Sequence, residues 1–111
     1  MAEINAGKVL IPGIAGQKIT ITDYVARVTG GFATGTSIKL QSTNAVPVDA
    51  VTIAEAGLTN GAVLLPASAN TTLGAGYAQQ LGAGDGLKVA NVGAAQTGGT
   101  SIDFTISFTQ A

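Results

Sequence analysis

The sequence lacks cysteine, histidine and tryptophan and carries little charge, and each shortage excludes a class of protein. Without histidine it lacks the commonest general base and metal ligand. Without cysteine it has no thiol nucleophile, no disulfide and no thiolate zinc site. Aspartate, glutamate, lysine and arginine make up only 10% of the residues, against about 25% in a typical domain. The composition therefore argues against an enzyme and against a disulfide-stapled fold.

The low charge also bears on how copies of the chain meet. A net charge of −1 leaves little electrostatic repulsion between molecules, and solitary domains usually depend on such charge to stay apart. We expect neighbouring molecules to cover part of the surface; the alternative is a solvated face rich in Thr, Ser and Asn. A nucleic-acid partner is not expected, because that requires clustered cations, and the cations here are scattered singly: Lys8, Lys18, Arg27, Lys39 and Lys88.

Length and hydropathy point to one domain without a membrane partner. At 111 residues the chain has the size of a single domain, which we assign to residues 1–111. The opening MAEINAGKVLIPG has no apolar run long enough for a signal peptide. No segment approaches the roughly 18–20 apolar residues that span a bilayer. We therefore expect synthesis and folding in a cytoplasm.

The clearest secondary-structure signal lies near the C-terminus. Over Ser101–Thr109, apolar and polar residues alternate with a period of two, as in a strand that has one buried face. The face predicted to be buried carries Ile102, Phe104, Ile106 and Phe108. The link Gly93–Thr100 before it carries Gly98-Gly99 and predicts a hairpin with a longer loop to the preceding strand.

A second long strand is predicted at Lys18–Thr29. Ile19 and Ile21 share one parity, whereas Tyr24, Ala26 and Val28 share the other. Because neighbouring side chains in a strand point to opposite faces, this switch predicts a bulge or bend near Thr22-Asp23.

Shorter segments between Gly, Asn, Asp and Pro residues complete an all-β pattern. Eight to ten strands in total predict a single-domain, jelly-roll-like antiparallel β-sandwich. A helical turn at Ala54-Glu55-Ala56 is an alternative to strand there. The remaining strands are predicted at Lys8–Ile11, Ser37–Gln41, Val48–Ala56, Ala62–Leu65 after the Asn60-Gly61 turn, Thr72-Leu73, Tyr77–Leu81 and Leu87–Val92.

The sequence contains no complete motif for a catalytic or ligand-binding site. The segment Gly82-Ala83-Gly84-Asp85-Gly86 lacks the spacing and the following helix of a nucleotide-binding loop, so it predicts a tight turn into a strand. No motif unites the six carboxylates. We therefore predict no catalytic, cofactor-binding or metal site and no small-molecule substrate. The carboxylates are Glu3, Asp23, Asp49, Glu55, Asp85 and Asp103.

The order of these segments resembles small virion proteins of tailed bacteriophages, in particular capsid decoration proteins that stabilise the head. The likeness extends over most of the chain as a general sequence pattern and not as a strict signature. Tail and head-fibre components share the same pattern. It is carried by Val9–Gly13 leading to Lys18–Ile21, by Val63–Pro66, and by Gly84–Val89 followed by Thr97–Ile106.

The resemblance implies a jelly-roll-like structural protein that sits on a capsid as a homo-oligomer, with a trimer favoured. Its partner would be the major capsid protein of a phage shell, its location the virion surface, and its role to clamp neighbouring subunits. Because short terminal segments are easily ordered on binding, we take Met1–Lys8 as the hypothetical shell-contacting arm. Within this arm, in which residues 1–7 precede the first strand, the candidate contact residues are Glu3, Ile4, Asn5 and Lys8.

Two other function classes stay open. A receptor- or glycan-binding module of a tail or head fibre would need exposed aromatic side chains for stacking, and aromatics are 5% of the chain. A small hydrolase built on a carboxylate pair is the third reading, and the missing histidine and cysteine weigh against it.

Overall fold

The computed structural model describes residues 2–111 and contains eight strands, one short helix and one 3₁₀ turn. The predicted all-β architecture is confirmed, with a strand number at the lower end of the predicted range. In chain order the elements are α1 (Ala2–Ala6), β1 (Val9–Ile11), β2 (Ile19–Thr29), β3 (Ala33–Ser42), β4 (Asp49–Ala54), the 3₁₀ turn Glu55–Gly57, β5 (Val63–Leu64), β6 (Thr71–Leu73), β7 (Leu87–Thr97) and β8 (Ser101–Gln110).

The strands form two antiparallel sheets. One has five strands in the order β1-β7-β3-β4-β6, and the other has three in the order β5-β2-β8. A single apolar core contains side chains from both sheets, so the sheets pack face to face as a sandwich. The most deeply buried side chains come from the central strands, among them Ile19, Ile21, Tyr24, Ile38, Leu40, Val51, Ile53 and Leu87.

A long two-stranded ribbon, folded in half, joins the two sheets. The ladder of β2 with β8 ends at Thr29 opposite Ser101, and the ladder of β3 with β7 begins at Ala33 opposite Thr97. Both strands of the ribbon cross between sheets at the same place. Gly30 and Gly98 lie at these crossings with φ of 74° and 77°, a conformation that glycine adopts without a Cβ penalty.

The predicted hairpin between the last two strands is therefore wrong. β7 continues to Thr97, and the link at Gly98-Gly99 then carries the chain into the other sheet, where β8 pairs with β2. The glycines correctly marked a sharp change of direction. Whether the strands on either side pair or cross is decided by which face each must bury, and local turn residues do not encode that.

The bulge predicted in β2 is confirmed. The register with β8 shifts between Ile21 and Asp23, so Ile19 and Ile21 before it and Tyr24 and Ala26 after it all reach the core. The 3₁₀ turn Glu55–Gly57 likewise agrees with the helical alternative noted after β4. By contrast, the strand predicted at Tyr77–Leu81 is reduced to two isolated bridges beside β2, Ile21 with Tyr77 and Thr20 with Gln80.

Two glycine-rich segments of the sequence pack backbone against backbone. A Cβ on Gly13 would overlap the carbonyl oxygen of Gly84, and a Cβ on Gly86 would overlap the carbonyl oxygen of Ile11. Gly84 also has a φ of 81°, and the amide of Asp85 donates to the carbonyl of Gly82 at 3.0 Å. The segment Gly82–Gly86 is therefore a tight turn into β7, as predicted. Within residues 2–111, no helix has the length and apolar character to cross a membrane.

Candidate functional site

Strand β8 forms one edge of the three-stranded sheet. It pairs along its length with β2, and no other described strand lies on its second side. Long open edges are sites where further strands add, and proteins that stay monomeric usually protect them with lysine, proline, a bulge or a covering segment. β8 has ten residues, contains neither lysine nor proline, and carries a single charge at Asp103.

The backbone groups at this edge can be assigned from the ladder. Lys18 and Ala111 exchange both of their backbone hydrogen bonds, at 2.9 and 3.1 Å. Hydrogen-bonded pairs alternate along an antiparallel ladder, so the odd-numbered residues of β8 bond to β2. The even-numbered residues direct their N–H and C=O groups towards the open side. These are Ile102, Phe104, Ile106, Phe108 and Gln110.

The same even-numbered residues form the apolar face of β8, and the rest of the fold covers them only in part. Ile102, Phe104 and Ile106 are half-buried, and Phe108 is 41% exposed. The prediction that these four residues share one face is confirmed. Their burial is less complete than a core face would have, because the opposite sheet ends in the three-residue strand β1.

A shallow opening of about 220 Å³ lies between α1, β1, β7 and β8, where the two sheets part. We call it the side opening. Its lining combines apolar side chains with charged residues. Its lining residues are Glu3, Ile4, Lys8, Leu10, Val89, Ile102, Asp103 and Phe104.

The side opening carries one ion pair, between Glu3 and Lys8. Lys8 Nζ donates to Glu3 Oε2 at 2.9 Å, and this hydrogen bond, followed by the charge of Lys8, lowers the pKa of Glu3. A general acid acting near neutral pH requires a raised pKa, so Glu3 is poorly suited to donate a proton. Asp103 also borders the opening, but among the described residues no ion pair joins it to Lys8. Glu3 and Lys8 thus form an exposed surface ion pair.

The predicted arm residues are seated on the sandwich in this structure. Ile4 is 8% exposed and belongs to the core. Asn5 Oδ1 accepts from the amide of Gln96 at 2.8 Å, and Asn5 Nδ2 donates to the Gln96 carbonyl at 3.3 Å. Glu3 and Lys8 are exposed and paired. Contact of Glu3, Ile4, Asn5 and Lys8 with a shell remains a prediction. In this structure Ile4 is buried and Asn5 bonds α1 to β7; Met1 lies outside the described residues.

The remaining carboxylates lie apart in separate polar contacts. Asp49 accepts from Lys39 Nζ at 2.6 Å, Glu55 accepts from Gln96 Nε2 at 2.8 Å, and Asp85 accepts from Asn44 Nδ2 at 3.3 Å. Asp23 caps the bulge by accepting from the amide of Tyr24 at 2.8 Å. Across residues 2–111, no group of three acidic side chains is gathered in a way that could hold a metal ion.

Gln96 is a structural residue that the sequence did not reveal. Its side chain is 3% exposed, and its Nε2 donates to Glu55 and to Asn91, at 2.8 and 2.9 Å. Gly35 makes room for it, because a Cβ there would overlap the Gln96 amide. Glutamine is usually found on the surface, so the sequence offers no sign of this burial beyond the glycine on the facing strand.

The aromatic side chains are divided between the core and the β8 face. Tyr24 and Phe32 are buried, Tyr77 and Phe104 are half-buried, and Phe108 is exposed. Tyr24 and Tyr77 meet edge to face, with ring centroids 6.5 Å apart. Burial raises the pKa of both tyrosines, and the charge of Asp23 adds to the rise at Tyr77. These two rings therefore act as packing groups, while the Phe108 ring is exposed.

No protein-family model, curated protein or solved structure matches this chain.

Proposed function

We propose that this chain is a non-enzymatic structural protein that works by assembling with copies of itself on a larger particle. The observation that carries the proposal is β8: a ten-residue edge strand with unpaired backbone groups and a half-exposed apolar face. Such an edge is a liability for a solitary protein and a binding surface for an assembling one.

The distribution of charge supports the same function. Only 10% of the residues are charged. Two of the exposed charged residues, Glu3 and Lys8, form an ion pair with each other. Large apolar side chains are exposed on other parts of the sandwich as well, for example Val9 at 49% and Val63 at 47%. Little electrostatic repulsion thus opposes the burial of these surfaces when molecules meet.

The particle is proposed from the resemblance of the sequence to phage decoration proteins. On a shell, each molecule would bind across the boundary between capsid subunits and resist their separation. The stabilisation would come from apolar burial at about 25 cal/mol per Å², reduced by the cost of ordering both surfaces. In this proposal the partner is the major capsid protein, and the candidates for contact with it are Glu3, Ile4, Asn5 and Lys8, of which Glu3 and Lys8 carry exposed charges.

The test combines a mass measurement with binding to empty shells. Light scattering across a concentration series is expected to show an oligomer. Sedimentation with shells built from a tailed-phage major capsid protein, and lacking their decoration protein, is expected to carry the chain into the pellet. A monomer at every concentration that stays in the supernatant would reject the proposal. An oligomer that ignores the shells would reject the capsid role and leave self-assembly standing.

A variant pair tests the contact residues. The double substitution Glu3→Gln with Lys8→Gln keeps side-chain size and removes both charges, and it is expected to reduce shell binding several-fold without changing the fold. Lys18→Gln is the matched control, since Lys18 is also exposed but lies outside the segment. Equal shell binding by both variants and the unsubstituted chain would remove Glu3 and Lys8 from the contact.

A further inference from the structure

We propose that two copies of the chain pair antiparallel through β8, about a twofold axis at Thr105, so that their three-stranded sheets become one six-stranded sheet. The inference rests on the proposed function, which requires self-association, and adds the partner strand, the symmetry and the register. It differs from the trimer that the resemblance implies, because antiparallel self-pairing of one edge closes at two copies.

The first reason is that the edge is open to hydrogen bonding. The even-numbered residues of β8 direct their backbone groups away from β2, as the reciprocal bonds between Lys18 and Ala111 fix. A second β8 would satisfy these groups with roughly eight backbone hydrogen bonds over a nine-residue overlap. The bulge of this sheet lies in β2 and not in β8, so the edge itself runs without interruption.

The second reason is that the alternation of apolar and polar residues along β8 restricts the register of the pairing. A twofold pairing must place even-numbered residues opposite even-numbered ones, since a shift by one residue would set apolar side chains opposite polar ones. An axis at Thr105 meets this condition and places Phe104 opposite Ile106, and Ile102 opposite Phe108, of the second copy. An axis at Ile106 also meets it but places Ile102 opposite Gln110. The axis at Thr105 is the one that pairs every apolar residue of the face with another.

The third reason is hydrogen-bonding complementarity on the outer face. With the axis at Thr105, Asp103 lies opposite Ser107 of the second copy, where a hydroxyl can donate to the carboxylate. Ser101 lies opposite Thr109, and Thr105 opposite itself, so hydroxyl groups meet hydroxyl groups. Asp103 is the only charged residue of β8, and this register keeps it from facing its own symmetry mate. Opposite like charges would destabilise the pair.

Single cysteines test the register directly, because the chain has none of its own. Thr105 is exposed, so Thr105→Cys should fold normally. In the proposed pairing, its two copies face each other at a non-hydrogen-bonded position with Cα atoms about 4.5 Å apart, a separation that suits a disulfide. Ser107→Cys is the matched control on the same face. Its two copies would be about 13 Å apart, four residues along the strand.

Under mild oxidation, Thr105→Cys is expected to form a covalent dimer at least tenfold faster than Ser107→Cys. A mixture of Asp103→Cys with Ser107→Cys is expected to crosslink where neither does alone. Equal rates for Thr105→Cys and Ser107→Cys would mean random collision and overturn the proposal. Faster crosslinking of mixed Thr105→Cys and Ser107→Cys than of Thr105→Cys alone would overturn the register.

Sedimentation equilibrium of the unsubstituted chain provides the second readout. A monomer–dimer equilibrium is expected, weakened at least tenfold by Phe108→Ser and unchanged by Val46→Ser, since Val46 is 79% exposed and lies in the loop between β3 and β4. A trimer that Phe108→Ser leaves intact would overturn the twofold pairing while the proposed structural function stands. A persistent monomer would overturn both the pairing and the self-assembly that underlies it.

Discussion

Strands β2 and β8 lie side by side in one sheet, and both alternate apolar with polar residues, yet they are buried to very different extents. The inward side chains of β2, including Ile19, Ile21 and Tyr24, are 0–2% exposed. Those of β8 range from half-buried to 41% exposed at Phe108. β2 is flanked on both sides, by β5 and β8, whereas β8 is flanked on one side only.

The alternation of apolar and polar residues thus predicts which side chains share a face of the strand. It does not predict how far the rest of the fold buries that face. β2 lies in the middle of its sheet, where the core closes over it. β8 lies where the opposite sheet ends in the three-residue strand β1, beside the five-residue helix α1. The apolar residues of β8 therefore exceed what the fold itself can bury. We interpret this excess as surface reserved for another molecule.

Truncating a side chain should cost much more stability in β2 than in β8. Ile21→Ala should lower the free energy of unfolding by about 3–4 kcal/mol, because it leaves a cavity in a closed core. Ile106→Ala should cost only about 1 kcal/mol, because its side chain is half-buried. Urea unfolding of both variants at low protein concentration measures the difference. Equal losses would show that β8 is as well covered as β2.

A smaller effect is expected where α1 closes part of the side opening. Ile4→Ala should lower the free energy of unfolding by about 2 kcal/mol, at the low end for a buried isoleucine, since a terminal helix can relax around the change. Ala6→Ser, at an exposed position of the same helix, is the control and should stay within about 0.5 kcal/mol. A neutral Ile4→Ala would mean that α1 contributes nothing to the core.

The smallest effect concerns the ionisation of Tyr24, which lies on the buried face of β2. Burial raises the pKa of Tyr24 above its ordinary value near 10. The fold therefore favours the neutral phenol, so this contribution to stability is complete below pH 10 and is lost as the pH rises through the folded-state pKa. In Tyr77→Phe, absorbance at 295 nm should show Tyr24 ionising above the pH at which it ionises in guanidinium. Coincident titrations would contradict its burial.

Much of the fold followed from the sequence because single residues signalled it. The parity switch between Ile21 and Tyr24 predicted the bulge in β2, and Gly84 and Gly86 predicted the turn before β7. The crossing of β7 into β8 was misread as a hairpin, since Gly98-Gly99 indicates a turn without saying which sheet the next strand joins. That choice depends on long-range burial by residues far away in the chain.

The candidate site was only half visible in the sequence. The alternation of apolar and polar residues predicted that four side chains of β8 share one face: Ile102, Phe104, Ile106 and Phe108. How far this face is buried depends on the opposite sheet, and the residues of β8 themselves do not indicate it. The sequence also did not predict that α1 packs against the sandwich. It depends on Ile4 in the core and on the paired hydrogen bonds between Asn5 and Gln96, whose sequence separation of 91 residues leaves no short-range pattern.

Amide hydrogen exchange at two protein concentrations shows whether the outer edge of β8 is free in the monomer and pairs with a second strand. In dilute solution, the amides of Ile102, Phe104, Ile106 and Phe108 should exchange fast, while the odd-numbered amides bonded to β2 exchange slowly. At high concentration, the even-numbered amides should become protected by at least tenfold as a second strand pairs with them. Protection that is already complete in dilute monomer, or that never appears at high concentration, would contradict the account of β8 as an open edge awaiting a partner.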